Sequence, residues 1–347
     1  MPGAARSPTR METEAEEAAL VAERQLREHP RLLADIGARL RQLDPQLVMT
    51  CARGSSDHAA TYAKHLIEIE TATPAASHSP SVSSIFGIEW RALGRTLFLA
   101  ISQSGQSPDL VLSAKAARDA GALVLSIINA PSSPLEAESW AALPILAGPE
   151  HSVAATKSYI GSLLAVASLV AEWTDSDPLR TALTSAPSAL RQAWDLDWSP
   201  AVPALRDVRD MYVIGRGSTL GIAQETALKF KETCGIHAEA VSAAEVRHGP
   251  MAIVGAGFPV LLLTPNDASR ASVQAIATDL VARGAHVLVA GADVEGAITL
   301  PTVPDLHPAI APAACMMSVY KMIAALSVAR GLDPDSPPYL RKVTETR

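Results

Sequence analysis

Aromatic residues make up only 4% of this chain, and its lysines and arginines form no long run. The first shortage removes the stacking platforms on which single-stranded nucleic acid is held. The second, together with a formal net charge of −7, removes the electrostatic footprint of a nucleic-acid or acidic-membrane partner. Cysteine is scarce as well. Cys51, Cys234 and Cys315 stand far apart, with neither a CxxC pair nor a zinc spacing, so buried free thiols in a reducing cytoplasm are expected. No uninterrupted apolar stretch reaches the length of a membrane span, about 18 residues, and the first ten residues lack the apolar centre of a signal peptide. Residues 1–10 are expected to be a loose tail, with Met11 a second candidate start.

What is present is an ordinary globular composition, 48% hydrophobic and 19% charged, over 347 residues, a length that suggests two domains. The stretch from Thr96 to Val111, TLFLAISQSGQSPDLV, organises the rest. It opens as a short apolar run of buried-strand length. A loop follows, Ser102, Gln103, Ser104, Gly105, Gln106 and Ser107, and then Pro108 and Asp109 begin a helical pattern. Pro suits the first helical position and Ser107 the N-cap. Free N–H groups at a helix start, joined by hydroxyls, suit an anion such as phosphate. A plain turn in which Ser107 only caps is the other reading.

Glu14–Leu43 reads as one or two helices with a break at His29-Pro30, Leu47–Ala52 as a strand, and the next helix runs to Glu70. A short strand is placed within Thr73–Ser84, another at Ala122–Ile128, a long apolar helix at Val153–Trp173 and a helical connector at Asp175–Pro203. The second half repeats the first. Arg53-Gly54-Ser55 matches Arg216-Gly217-Ser218, the strand from Leu97 matches that from Val260, and Gly121–Leu125 matches Gly284–Leu288, all at one offset (216 − 53 = 260 − 97 = 284 − 121 = 163). Two tandem α/β domains follow, each a parallel sheet flanked by helices in three layers. The division is a tail at 1–10, N-terminal helices at 11–45, domain one at 46–174, a connector at 175–204, domain two at 205–335 and a C-terminal tail at 336–347. Where copy one has Ser102-Gln103-Ser104, copy two has Pro265-Asn266-Asp267. Pro lacks an N–H and Asp repels anions, so one anion site per chain is expected, in copy one.

Lys229 and Glu232 lie three apart on a helix, hence on one face, with Glu225 one turn before Lys229. This is either a surface salt-bridge ladder or a site. Ser242 and Glu245 fit a capping box, which leaves His248 at the end of a short helix, where the dipole favours imidazolium.

Gly54-Ser55-Ser56, Ser102–Gly105, Val153–Lys157, Ala227–Glu232, Arg247–Pro250 and Leu340–Glu345, in that order, resemble the motifs of the double-SIS (sugar isomerase) family. The resemblance runs from about residue 30 to the end of the chain. It is to the isomerase half of glucosamine-6-phosphate synthase and to stand-alone SIS-type glucosamine-6-phosphate deaminases. It implies that Ser102, Gln103, Ser104 and Ser107 bind phosphate, that Ser55 and Ser56 lie near sugar or phosphate, and that Val153 and Ala155 contact the sugar. Ala155 stands where the synthase has a serine, so one sugar contact is expected to be lost. Arg53 has no counterpart in that pattern and is a source of local positive charge.

The resemblance further implies that Glu232 moves a proton between C1 and C2 and that Lys229 stabilises charge on a sugar oxygen. His248 would open the ring from across a homodimer interface, and Lys342 matches a Schiff-base lysine, although a terminal lysine is otherwise simply solvated. With about 45 residues before the first strand, the synthase's glutaminase domain is not expected here. A deaminase or isomerase of a hexosamine 6-phosphate is therefore expected, glucosamine 6-phosphate giving fructose 6-phosphate and ammonia, with no metal or organic cofactor. Deglycation of a fructosamine 6-phosphate, deamination of galactosamine 6-phosphate, and a non-catalytic sugar-phosphate sensor are the alternatives.

Overall fold

The computed structural model describes residues 7–342. Three helices lead: α1 Arg10–Glu16, α2 Ala18–Glu28 and α3 Pro30–Leu43. The break at His29-Pro30 is where the sequence put it, but folding starts earlier than expected. Thr9 and Glu12 form a reciprocal capping box, and the Asp335 carboxylate accepts the N–H groups of Arg10 (2.8 Å) and Met11 (2.7 Å). The expected loose tail therefore ends before Thr9, and its residues 1–6 lie outside the described residues.

The first lobe contains β1 Leu47–Cys51, α4 Ser55–Thr71, β2 Ala75–Ser77, α5 Pro80–Ser84, β3 Thr96–Ser102, α6 Pro108–Asp119, β4 Leu123–Ile128, α7 Pro134–Ala137, β5 Ala141–Pro144 and α8 Lys157–Trp173. The connector is α9 Asp177–Asp195 and α10 Ala201–Leu205. The second lobe contains β6 Asp210–Gly215, α11 Leu220–Cys234, β7 His237–Ser242, β8 Pro259–Leu263, α12 Arg270–Ala282, β9 His286–Ala290, β10 Ile298–Leu300 and α13 Ala311–Ala329. Both sheets are wholly parallel. Their orders, β2-β1-β3-β4-β5 and β7-β6-β8-β9-β10, are one topology used twice.

Every residue of β3 is buried, which is why it reads as a continuous apolar run rather than an alternating one. In α8 every residue but Glu172 is buried, so the helix has no water-facing stripe and lies inside the molecule. It starts at Lys157, four residues later than the apolar pattern predicts. The preceding Val153–Thr156 is loop, because the Glu150 carboxylate takes the Thr156 (2.9 Å) and Ser158 (3.2 Å) N–H groups. Among the described residues α13 alone is long and apolar enough to cross a membrane. Some 72% of its most apolar window is buried against the rest of the protein, as in a core helix.

In this topology the chain leaves β1 and β3 in opposite directions, which opens a crevice at the carboxyl ends of these two neighbouring strands. The loops that follow β1 and β3 carry Arg53–Ser56 and Ser102–Ser107.

His29 and His78 are buried, and burial pushes both imidazoles below their ordinary value of 6.5. The folded chain thus keeps them neutral while the unfolded chain protonates them, so stability rises with pH across this window. Urea unfolding between pH 8 and pH 5 is expected to show stability falling once pH drops below about 6.5. The slope should flatten in His29→Gln; an unchanged slope contradicts the assignment.

Candidate active site

The two loops open onto a cavity of about 360 Å³. Ser55, Ser56, Ser102, Gln103, Ser104, Ser107, Val153, Ala155, Lys229, Glu232 and Lys342 all line it, so eleven of the twelve residues singled out in the sequence meet in one place. The twelfth, His248, does not line it; it sits exposed in the 3-10 turn Glu245–His248. The capping box expected there does not form. Ser242 Oγ instead accepts the Ala244 N–H at 3.3 Å.

The serine loop is shaped by its own hydroxyls. Ser102 Oγ accepts the Gly105 N–H at 3.0 Å and Ser104 Oγ the Gln106 N–H at 3.3 Å. Gly105 has φ +62°, and a Cβ there would stand 2.2 Å from Ser133 Oγ, so the turn admits only glycine. Ser107 occupies the N-cap of α6, but its hydroxyl makes no capping bond; the residue lines the cavity. Arg53 also lines the cavity, half-exposed. Its Nε and Nη2 both donate at 2.8 Å to Oδ2 of Asp109, a carboxylate that is fully buried in the first turn of α6.

The opposite wall comes from the second lobe. Helices α11 and α4 pack so closely that a Cβ on Gly221 would lie 2.6 Å from the His58 carbonyl oxygen. This contact brings Lys229 Nζ to 3.1 Å from Ser55 Oγ, across the lobe boundary. Lys229 also donates to Glu232 at 2.6 Å and to Glu225 at 3.2 Å. Its side chain is 1% exposed, which discards the surface-ladder reading. Lys231, on another face, is exposed.

Glu225 is wholly buried and accepts from His58 Nδ1 (2.9 Å) and the Tyr320 hydroxyl (3.1 Å). Burial works to raise its carboxyl, but the charge of Lys229, with the hydrogen bond from His58, holds it below the ordinary carboxylate value. Burial likewise works to lower the Lys229 ammonium, and Glu225 and Glu232 together hold it above its ordinary value. Lys229 is thus a fixed positive charge on the cavity wall, beside a carboxylate that is 22% exposed, Glu232.

The third wall is the loop from Glu150 to Thr156. Buried Glu150 binds the loop from inside, and Lys342 of the C-terminal tail donates to it at 3.0 Å and to the Ser152 carbonyl at 2.7 Å. Burial pushes Glu150 up, while Lys342, Ser158 and the Thr156 N–H pull it further down, to a net value below the ordinary one. The Lys342 amine is therefore engaged as an ion pair in this state. Residues 343–347 of the expected tail lie outside the described residues.

Sequence reading missed Glu150, Asp109, His58 and Tyr320. Asp109, His58 and Tyr320 act through partners tens of residues or more away, and Glu150 through Lys342 as well as through backbone N–H groups six and eight residues on, none of which a local spacing signals.

The second copy keeps a cavity of about 270 Å³ at the matching place, lined by Ser218, Thr264, Asn266 and Arg270 among others. Asp267 accepts from Ser218 Oγ at 2.9 Å and from the Ser269 N–H at 2.8 Å. Among the described residues, no group of three or more His, Cys, Asp or Glu side chains is arranged to hold a metal ion. The buried Cys51 thiol is pushed up to about 12 by burial, which disfavours the reactive thiolate.

Fold and site define a two-lobed α/β protein with a crevice lined by serine hydroxyls from one lobe and by a buried lysine and a carboxylate from the other. The chain belongs to the SIS domain family, whose model matches residues 45–172 and 204–329. A provisionally assigned phosphosugar isomerase from Silicibacter pomeroyi DSS-3 is 41% identical, with a TM-score of 0.91 over 94% of this chain and 100% of that one. The glutamine–fructose-6-phosphate aminotransferase (isomerizing) of Brucella melitensis biotype 1 is 30% identical over 328 residues, 88% of this chain and 53% of that protein. The chain spans about half the length of the curated relatives it matches. A glucosamine-6-phosphate deaminase from Thermotoga maritima shares the fold at 20% identity, with a TM-score of 0.70 over 90% of this chain and 98% of that one.

Glu225→Gln removes one of the two carboxylates that balance buried Lys229. Glu232 still offsets part of the charge, so a loss of about 2–3 kcal/mol is expected, below the cost of a fully orphaned buried ion. Urea unfolding measures it. A loss under about 0.5 kcal/mol, the ordinary scale for a surface change, contradicts the buried-network account.

Proposed function

We propose that the protein is an amino-sugar phosphate deaminase and isomerase that converts glucosamine 6-phosphate and water to fructose 6-phosphate and ammonia. One observation carries the reading: a carboxylate and a buried ammonium from one lobe face the serine loop of the other across a single cavity. The names of the relatives, a hexose-6-phosphate aminotransferase and a glucosamine-6-phosphate deaminase, support the choice of substrate.

The phosphate is held by Ser102, Gln103, Ser104 and Ser107 at the start of α6, with the rest of the Arg53 guanidinium, already paired to Asp109, at the cavity wall. That grip sets C1 and C2 of the open-chain sugar beside Glu232. The carboxylate removes the C2 proton, giving an enolamine, and returns it to C1, giving the C2 imine. Lys229 stabilises the oxygen that gains negative charge. Water then adds to C2, the C–N bond breaks and ammonia leaves. Lys342 balances charge at the tail side.

His248 opens the ring from a second copy. Its exposure, with Ile253 five residues on also more than half exposed, supports a homodimer in which each cavity is completed by the other chain.

Pure protein incubated with glucosamine 6-phosphate is expected to release ammonia, and Glu232→Gln to lose about a thousandfold in kcat. Ligand-induced stabilisation without turnover supports the sensor alternative instead. Release of ammonia only from galactosamine 6-phosphate or a fructosamine 6-phosphate moves the assignment to that substrate.

Mixing inactive Glu232→Gln with inactive His248→Gln is expected to restore about a quarter of wild-type activity, because half the dimers are mixed and each has one intact site. No recovery after subunit exchange contradicts the shared site.

A further inference from the structure

The wall loop is held from behind by the N-terminal helix, which the motif set does not include. Glu14, on α1 and 4% exposed, accepts the N–H groups of two successive loop residues, His151 and Ser152, the latter at 3.0 Å. Glu17, one turn later, pairs with Lys157, the first residue of α8. Asp335 closes the arrangement. Its carboxylate caps α1 through Arg10 and Met11, and its carbonyl accepts the Val153 N–H at 3.3 Å. Val153 and Ala155 are the residues that this loop presents to the cavity.

From this geometry we infer that α1 is a positioning element of the site, and that Glu14, acting through the backbone of His151 and Ser152, sets where Val153 and Ala155 meet the ligand. The physical reason is the number of fixed points. A seven-residue loop without regular structure has many conformations, and each immobilised residue costs backbone entropy. Two charge-assisted bonds to one buried carboxylate remove that freedom before ligand arrives. Lys342, which lines the cavity, donates to the Ser152 carbonyl and to Glu150, so the loop is held both from α1 and from the C-terminal tail. Glu14 touches no ligand. Its contribution is to pre-order the loop, and pre-ordering that acts on bound substrate and transition state alike shows in binding rather than in the chemical step.

The inference rests on the proposed reading of the cavity as a sugar-phosphate site, and the test separates the two. Binding of glucitol 6-phosphate is measured by calorimetry, and turnover of glucosamine 6-phosphate by ammonia release, for wild type, Glu14→Gln, Glu14→Ala, Asp335→Asn and the exposed control Glu16→Gln. Glu14→Gln and Asp335→Asn are expected to weaken binding and raise KM about tenfold, equivalent to about 1.4 kcal/mol. Values of kcat should stay within about twofold, with the kcat–pH profile unmoved. Glu14→Ala should be worse than Glu14→Gln, and Glu16→Gln like wild type. If Glu14→Ala fails to fold, the two conservative variants carry the comparison. Wild-type Kd and KM in Glu14→Gln and Asp335→Asn overturn the inference while leaving the function standing. An equal loss in kcat, or a shifted pH profile, overturns it in favour of a direct chemical role. A wild type that binds glucitol 6-phosphate without turnover, and loses that binding in the variants, supports the inference while refuting the deaminase. A wild type that binds no sugar phosphate overturns both.

Discussion

A single buried ammonium holds this site together. Lys229 has one carboxylate behind it, one beside it and a serine hydroxyl in front of it, and the serine belongs to the other lobe. Placing a charge where water cannot reach is costly unless its partners are exact in position. Here the positions follow from Gly221, whose missing side chain lets α11 lie against α4. The relation of the lobes and the electrostatics of the cavity are thus one problem with one solution. His58 and Tyr320 extend that solution into the core, since they complete the bonds of the inner carboxylate.

The internal repeat shows how one topology yields two different crevices. Both lobes carry the same strand order, and both leave a cavity at the carboxyl ends of their sheets. In the first, the loop after β3 turns on Gly105 and presents hydroxyls. In the second, Asp267 satisfies itself on Ser218 and Ser269, so the loop is spent on its own structure. The second lobe contributes α11 instead, with its charged face. Each copy therefore gives the site what the other no longer supplies.

Much of this could be read from residue order, and the exceptions share a cause. The 163-residue offset marked the paired strands because a buried parallel strand is a continuous apolar run that recurs with the fold. The serine loop was visible because strand, small polar residues and Pro108 follow one another without a gap. Spacing put Lys229 and Glu232 on one face, but spacing cannot say what covers a face, and so the burial of Lys229 was out of reach. The start of α8 was misplaced because Val153-Ala154-Ala155 is apolar enough for a helix; the Glu150 carboxylate, bound to N–H groups further on, holds it as loop. Ser107 and Ser242 sit at capping positions and do not cap as expected: Ser107 makes no capping bond, and Ser242 takes the Ala244 N–H instead. Glu14 and Asp335 were silent because their partners lie 138 and 324 positions away.

The bond between Ser55 and Lys229 also bears on divisibility. A duplicated gene segment suggests modules that can be shuffled, yet these two halves no longer have that freedom. A cut through α9 would leave one half with a row of hydroxyls lacking a reactive group. The other would carry two carboxylates around one lysine on a face stripped of its cover, a local excess of negative charge that resists any new neighbour but the original. Duplication made the halves alike, and the shared lysine has made them inseparable.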